Sequence, residues 1–234
     1  WSDEIFSNIG DILFGTPSAE SERAASEMDA YFLQRISEIR RNPKNHLLGQ
    51  LVGIETEDGK LDDEELLSFC RLLLIAGNET TTGLITASAR IFHEQPETLA
   101  QLKQQPELSG AFIEETLRYY SPFSATVRRT TKDVELAGQN IVAGELVLPL
   151  IASANRDDRV FEAPDTFQID RSPNPHLGLG FGIHFCLGAH LARLEGRVVV
   201  EQMAERYASV ALAKPEKATV GNLGGPKELA IRVG

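Results

Sequence analysis

Cys186, one of two cysteines in the chain, stands inside GLGFGIHFCLGAHLARLEGR, residues 178–197. Gly180 and Gly182 precede it and Gly188 follows, so something flat or bulky can approach the main chain closely there. The residues after it predict a helix, whose free N–H groups and positive dipole end fall near the sulfur. Each such contribution is worth about 0.3–1 kcal/mol to a negative group and favours thiolate over thiol. A thiolate so placed is a strong single metal ligand. A zinc site would require several Cys or His close by, and no second Cys is near. Covalent haem attachment needs Cys-x-x-Cys-His, which is absent. A small inert thiol, or a nucleophile with His184 as its base, are the other readings of the same residue.

Three further stretches carry polar groups in apolar surroundings. In LLLIAGNETTTGLIT, residues 72–86, an apolar run meets Gly77, Asn78, Glu79 and Thr80 to Thr82, then turns apolar again. If that helix is buried, Glu79 and the threonines need compensating partners. Threonine hydroxyls bonding back to the preceding turn beside a glycine would kink it and open room for water or a ligand. In EETLRYYSP, residues 114–122, Glu115 and Arg118 lie at i, i+3 and Glu114 and Arg118 at i, i+4. On a surface such pairs contribute only about 0.2–0.5 kcal/mol. Arg128 follows in an expected strand, by itself an edge cation.

The elements that must position these groups are mostly helical. Spacings of three and four among Ala24, Met28, Phe32, Ile36 and Ile39 predict a helix over 19–41. A shorter helix precedes it and stops at Gly15 and Pro17. NPKNHLLGQLVGIETEDGK reads as a short helix and a polar turn. A long helix starts at Asp62 or Asp63 as N-cap, with Glu65 behind it, and runs to about His93. Pro96 opens another, and a third spans roughly 109–121, from Ser109 to the stop at Pro122. Beyond Pro122, β-branched runs broken at Gly138 and Gly144 predict hairpins. RDDRVFEAPDTFQIDRSPNPHLGLG is long, Pro-rich and aperiodic, and loops of that length usually serve a function. The helix after Cys186 carries Leu187, Leu191, Leu194 and Val198 on one face. A strand pair is expected around Gly224, Gly225 and Pro226. The fold class is mainly α with small β-sheets (α+β), one domain over 1–234.

The chain of 234 residues is 42% hydrophobic and 24% charged, ordinary for a soluble globular protein. A formal charge of −11 argues against a nucleic-acid partner, since no excess of Lys and Arg exists to neutralise phosphates. The apolar run before Gly77 is too short for a membrane span. Two cysteines and no basic, apolar leader at WSDEIFSNIGD read as a cytoplasmic protein. The chain has no initiator Met, as a piece of something longer would not.

Taken in order, GFGIHFCLG, AGNETT and ETLR resemble the haem-binding signature, the distal-helix motif and the Glu-x-x-Arg motif of the cytochrome P-450 family, most closely its soluble bacterial members. The resemblance implies the downstream half of the cytochrome P-450 fold, a C-terminal haem-ligating portion. It implies haem b (iron protoporphyrin) as cofactor, with Cys186 the axial ligand to iron and Gly182, Gly188 and Ala76 beside the macrocycle. His184 and Arg128 match positions that bind the haem propionates. Glu79 and Thr80 match an acid–alcohol pair that delivers protons to bound dioxygen. Glu115 and Arg118, completed by Arg171, resemble a structural ion pair whose loss, if buried, would cost about 3–5 kcal/mol. Arg193 and Arg197 are candidates for docking an acidic electron donor of ferredoxin or flavodoxin type. Ile75, Ala76, residues 123–127 and the turn near Leu223 are candidate contacts to a hydrophobic small-molecule substrate.

The sequence departs from the family at two points. Leu179 stands where Phe is usual, which implies less complete shielding of the sulfur. The family fold also needs roughly twice this length, so the N-terminal portion of the same fold is a missing partner. The implied activity is a haem-thiolate monooxygenase inserting one oxygen atom from dioxygen into an apolar substrate, with two electrons from a redox partner. The alternative is a truncated, non-catalytic fragment with weak or no haem binding. A peroxide-driven relative is a narrower reading, against which Glu79 and Thr80 argue.

Overall fold

The structure, a computed structural model, describes residues 1–7, 16–56, 59–214 and 229–234. The chain divides into two compact units, Trp1–Glu79 and Thr80–Gly234, and the boundary falls inside one long helix.

In the first unit, helix α1 (Ser2–Ser7) packs on α2 (Ala19–Arg41), burying Ile5, Ala24 and Met28 with Phe32 and Ile75 against them. Ser18 caps α2 by accepting from the Ser21 N–H at 3.2 Å. The short helix α3 (Leu47–Gly53) leads into a small antiparallel pair, β1 (Glu55–Thr56) and β2 (Gly59–Lys60). A second cluster buries Ile36, Leu51 and Leu66. Helix α4 (Asp63–Glu94) begins with a reciprocal cap. Asp62 Oδ1 accepts from the N–H groups of Glu64 and Glu65, and Glu65 Oε2 accepts from the Asp62 N–H at 2.9 Å. Arg71 on α4 grips Asp29 on α2 through both carboxylate oxygens. The expected shorter helix is seen as Ser2–Ser7; residues 8–15, including Gly15, lie outside the described residues.

In the second unit the rest of α4 is followed by α5 (Pro96–Gln104), with Pro96 in its first turn, and α6 (Ser109–Tyr119). Its core joins Leu84, Ile91 and Phe92 to Leu99, Leu102, Phe112, Ile113, Leu117, Phe167, Leu179 and Val200. Phe92 stacks on Phe112 with centroids 5.1 Å apart, and Phe167 meets Phe112 edge-on. The sheets are pairs of short antiparallel strands. β3 (Arg128–Arg129) pairs with β6 (Leu146–Val147), and β4 (Val134–Leu136) with β5 (Gln139–Ile141). Ala137 and Gly138, at φ 50° and 77°, make the tight turn between the latter two.

A helical turn, α7 (Ile151–Ala154), leads into a long irregular segment that reaches Cys186. Helix α8 (Ala189–Arg206) follows and packs on α5 and α6. Leu191, Leu194 and Val198 share a face of α8, while Leu187 falls in the turn before it, and all four are exposed. Val200, Ala204, Gly196 and Ala189 make the buried side of α8 instead. Strands β7 (Val210–Leu212) and β8 (Ile231–Val233) pair antiparallel. The turn expected at Gly224, Gly225 and Pro226 lies outside the described residues, as does Leu223.

Candidate functional site

The segment before Cys186 is held by backbone bonds rather than by regular structure. The Cys186 N–H donates to the Leu179 carbonyl at 2.8 Å, and the Cys186 carbonyl accepts from the N–H of Ala189, the first residue of α8. The loop between closes so tightly that a Cβ on Gly180, at φ 75°, would lie 2.7 Å from the His184 carbonyl oxygen. Gly182 has φ 63° and starts a 3₁₀ turn, Gly182–His184. Leu179, at the position where the family usually has Phe, is buried in the core. Around the half-buried Cys186, Phe181 is 81%, Ile183 98% and Leu187 72% exposed, an apolar rim turned outward.

The Glu115–Arg118 pair is wholly buried, both side chains at 0% exposure. Arg118 Nε and Nη2 donate to the two carboxylate oxygens at 2.8 Å. Its remaining N–H groups donate to the carbonyls of Asn155, Pro164 and Thr166. Arg171 Nε lies 3.0 Å from Glu115 Oε1, and the Gln168 N–H and Asn174 Nδ2 also donate to that carboxylate. One carboxylate and two guanidinium groups thus organise the irregular segment over 155–174. The buried Asn174 Oδ1 is left without a hydrogen-bond partner.

Glu114, expected to pair with Arg118, turns to another cation. Arg193 of α8 grips it through Nε and Nη2 at 2.6 and 2.8 Å, and His176 Nε2 lies 3.1 Å from its Oε2. Burial pushes the Glu114 carboxyl up, but the hydrogen bonds from Arg193 and His176 and the charge of Arg193 outweigh it and hold it down at about 2. Arg193 is raised in turn by its hydrogen bond to Glu114, opposed by partial burial and supported by the fields of Glu114 and Cys186. Arg193 is therefore tied to α6. Arg197 remains exposed, 3.4 Å from Glu201.

Arg128 and His184 both face solvent, and Arg128 Nη1 donates to Thr126 Oγ1 and the Val127 carbonyl. Along α4, Ala76 is exposed and Glu79 and Thr80 are half-buried. Helix α4 keeps α-helical hydrogen bonding from Asp63 to Glu94. Thr86, outside the Thr80 to Thr82 run for which back-bonding was expected, has its hydroxyl 3.0 Å from the Thr82 and Gly83 carbonyls. Thr81 instead donates to Glu195 of α8 at 3.3 Å. Sequence reasoning missed His176 and Asn155. Asn155 is fully buried, donates to Ser121 and accepts from the Leu177 N–H. Nothing local in the sequence marks either residue, because their partners come from other segments.

A glycine-framed thiol with an apolar rim, beside a buried Glu-x-x-Arg network, agrees with the outcome of the comparisons. The cytochrome P450 family description matches residues 5–219. The chain belongs to the cytochrome P450 family. Cytochrome P450 109 of Bacillus spizizenii is 39% identical over 244 residues, covering 98% of this chain and 60% of that protein. The structure of CYP109E1 from Bacillus megaterium in complex with corticosterone superposes with TM-score 0.87 at 40% identity, over 99% of this chain and 63% of that one. P450BioI in complex with an acyl carrier protein ligated to hexadec-9Z-enoic acid gives 0.84 at 39% identity, over 92% and 55%. The chain thus spans less than two thirds of the length of each of these P450 relatives.

The P450 family implies a haem cofactor, and the half-buried Cys186 thiol with exposed Phe181, Ile183 and Leu187 around it is chemically compatible with one. Among the described residues no group of three or more His, Cys, Asp and Glu could hold a metal ion. The outward apolar rim suits a flat apolar plate. No helix among the described residues is long and apolar enough to cross a membrane.

Proposed function

We propose that this chain is the haem-ligating portion of a P450 monooxygenase that inserts one oxygen atom from dioxygen into an apolar organic substrate, with two electrons from a ferredoxin- or flavodoxin-type donor in the cytoplasm. The observation that carries this reading is Cys186, preceded by two positive-φ glycines, with its N–H and carbonyl both engaged and its sulfur beside an apolar rim. When bound, thiolate-ligated haem iron supplies dioxygen chemistry, because thiolate donation favours O–O cleavage. Cys186 would hold the iron and Gly182 and Gly188 would let the macrocycle approach the main chain; Ala76 is carried over from the family resemblance. His184 and Arg128 offer donors to the two propionates. Glu79 and Thr80 hold and pass protons along α4. Glu115, Arg118 and Arg171 keep the segment before the ligand in shape. Two relatives have been captured with a steroid and with an acyl-chain-loaded carrier protein, which supports a hydrophobic substrate class.

The test is spectroscopic. Cys186→His should retain haem binding while the reduced carbon monoxide complex loses its red-shifted thiolate band; survival of that band overturns the ligand assignment.

The share of its relatives' length favours a second reading, a fragment that holds haem weakly and does not turn over alone. Mass spectrometry of the intact preparation separates the two. A co-purifying polypeptide of similar size supports the enzyme, and this chain alone, without haem, supports the fragment.

A further inference from the structure

The Cys186 sulfur sits on a segment without regular structure, yet both flanks of that segment end on the same carboxylate. His176, ten positions before the ligand, points Nε2 at Glu114 Oε2 with its side chain only 4% exposed. The Gly178 N–H donates to His176 Nδ1 at 3.1 Å, so Nδ1 is the acceptor and Nε2 carries the proton toward Glu114. Gly178 itself is pressed against α6, since a Cβ there would lie 2.6 Å from the Leu117 carbonyl oxygen. Arg193, seven positions after the ligand, closes a two-pronged contact to the same carboxylate from α8. The geometry leaves Glu114 satisfied from both sides by donors of opposite provenance, one on the incoming loop and one on the outgoing helix.

We propose that Glu114 is a positioning residue for the Cys186 thiolate, acting as a cross-brace between the loop that delivers the sulfur and the helix that leaves it. Its importance for haem rests on the reading of Cys186 as axial ligand, but the brace is a property of the chain without haem. A bidentate Arg–carboxylate contact fixes direction as well as distance, so the brace sets the angle at which α8 meets the loop. Glu115, one residue on, organises the earlier part of the segment and does not touch either flank.

The experiment compares the 234-residue chain with its Glu114→Ala and Glu114→Gln variants, without haem, by amide hydrogen exchange and by the alkylation rate of Cys186 followed in its mass-mapped peptide. Glu114→Ala should speed exchange at residues 177–181 and 189–193 by about tenfold or more, the equivalent of a lost charge-assisted hydrogen bond. It should also change Cys186 alkylation, with α2 unaffected. Glu114→Gln keeps a carbonyl for His176 but turns an NH₂ toward Arg193, so protection should return in the loop half and stay low in the helix half. A purely structural role would not split the two flanks in this way. Wild-type exchange and alkylation in Glu114→Ala, or an equal rise throughout residues 80–234, overturns the proposal. Equal behaviour of both flanks in the Gln variant overturns it as well, and keeps the proposal falsifiable if the Ala variant does not fold. In the haem-loaded chain, a mixed carbon monoxide spectrum in the Glu114 variants supports the brace. Failure of the Cys186→His test removes the ligand reading and leaves the exchange result standing.

Discussion

Glu114 and Glu115 are the same side chain one position apart, rotated by about 100° around α6, and that rotation gives them different environments. Glu115 points into a space with no solvent, where two guanidinium groups, an amide side chain and a backbone N–H converge on it. Arg118→Ala should lower stability by about 3–5 kcal/mol, read as a shift in the urea midpoint, because it strands a buried carboxylate and three carbonyls. Glu114 is half-buried, and its acidity sets a pH dependence. Its carboxyl lies at about 2 in the folded chain, below the ordinary carboxylate range. Its stabilisation is therefore complete above that ordinary range and is lost as pH falls toward about 2. The midpoint difference between wild type and Glu114→Gln should be constant near neutrality and vanish toward that lower limit. The i, i+3 pairing of Glu115 with Arg118 was legible in the sequence from spacing alone, but its burial was not. That burial comes from Arg171, Asn174 and carbonyls in an aperiodic segment, which no spacing rule links to α6.

Elements with local signals were read well, and those assembled from distant partners were not. Asp62 and Glu65 declare the start of α4 three residues apart, and Pro96 declares α5. The leucine stripe on α8 was legible as a face, whereas its exposure depends on what else surrounds the helix. Glycines divide in the same way. Gly178 would meet the Leu117 backbone oxygen, which cannot move aside, so Gly178→Ala should destabilise by about 1–3 kcal/mol through overpacking. Gly110 on α6 has open space where its Cβ would go, so Gly110→Ala should stabilise by up to about 1 kcal/mol. Thermal denaturation of the two variants checks the opposite signs, which their identical sequence chemistry does not reveal.

For the whole molecule the family and the fold class followed from three motifs in order, and the comparisons agree with both. Enclosure of haem did not follow from them. Phe181 and Ile183 stand almost fully in solvent beside Cys186, and the chain covers 60% of cytochrome P450 109 of Bacillus spizizenii. Haemin titrated into the 234-residue chain should therefore bind several orders of magnitude more weakly than to a complete relative, each factor of ten being about 1.4 kcal/mol. Stoichiometric binding that shields the iron from water would contradict this. The exposed Leu187 before α8 and Leu191, Leu194 and Val198 on it have a consequence of another kind, for colloidal behaviour. Those side chains attract their like at any ionic strength, while the net charge of −11 repels other copies only over a Debye length, about 30 Å at 0.01 M salt and about 8 Å at physiological strength. Dispersal of the chain is thus an electrostatic property that salt erodes, and dilute buffer is the medium in which its molecules stay apart.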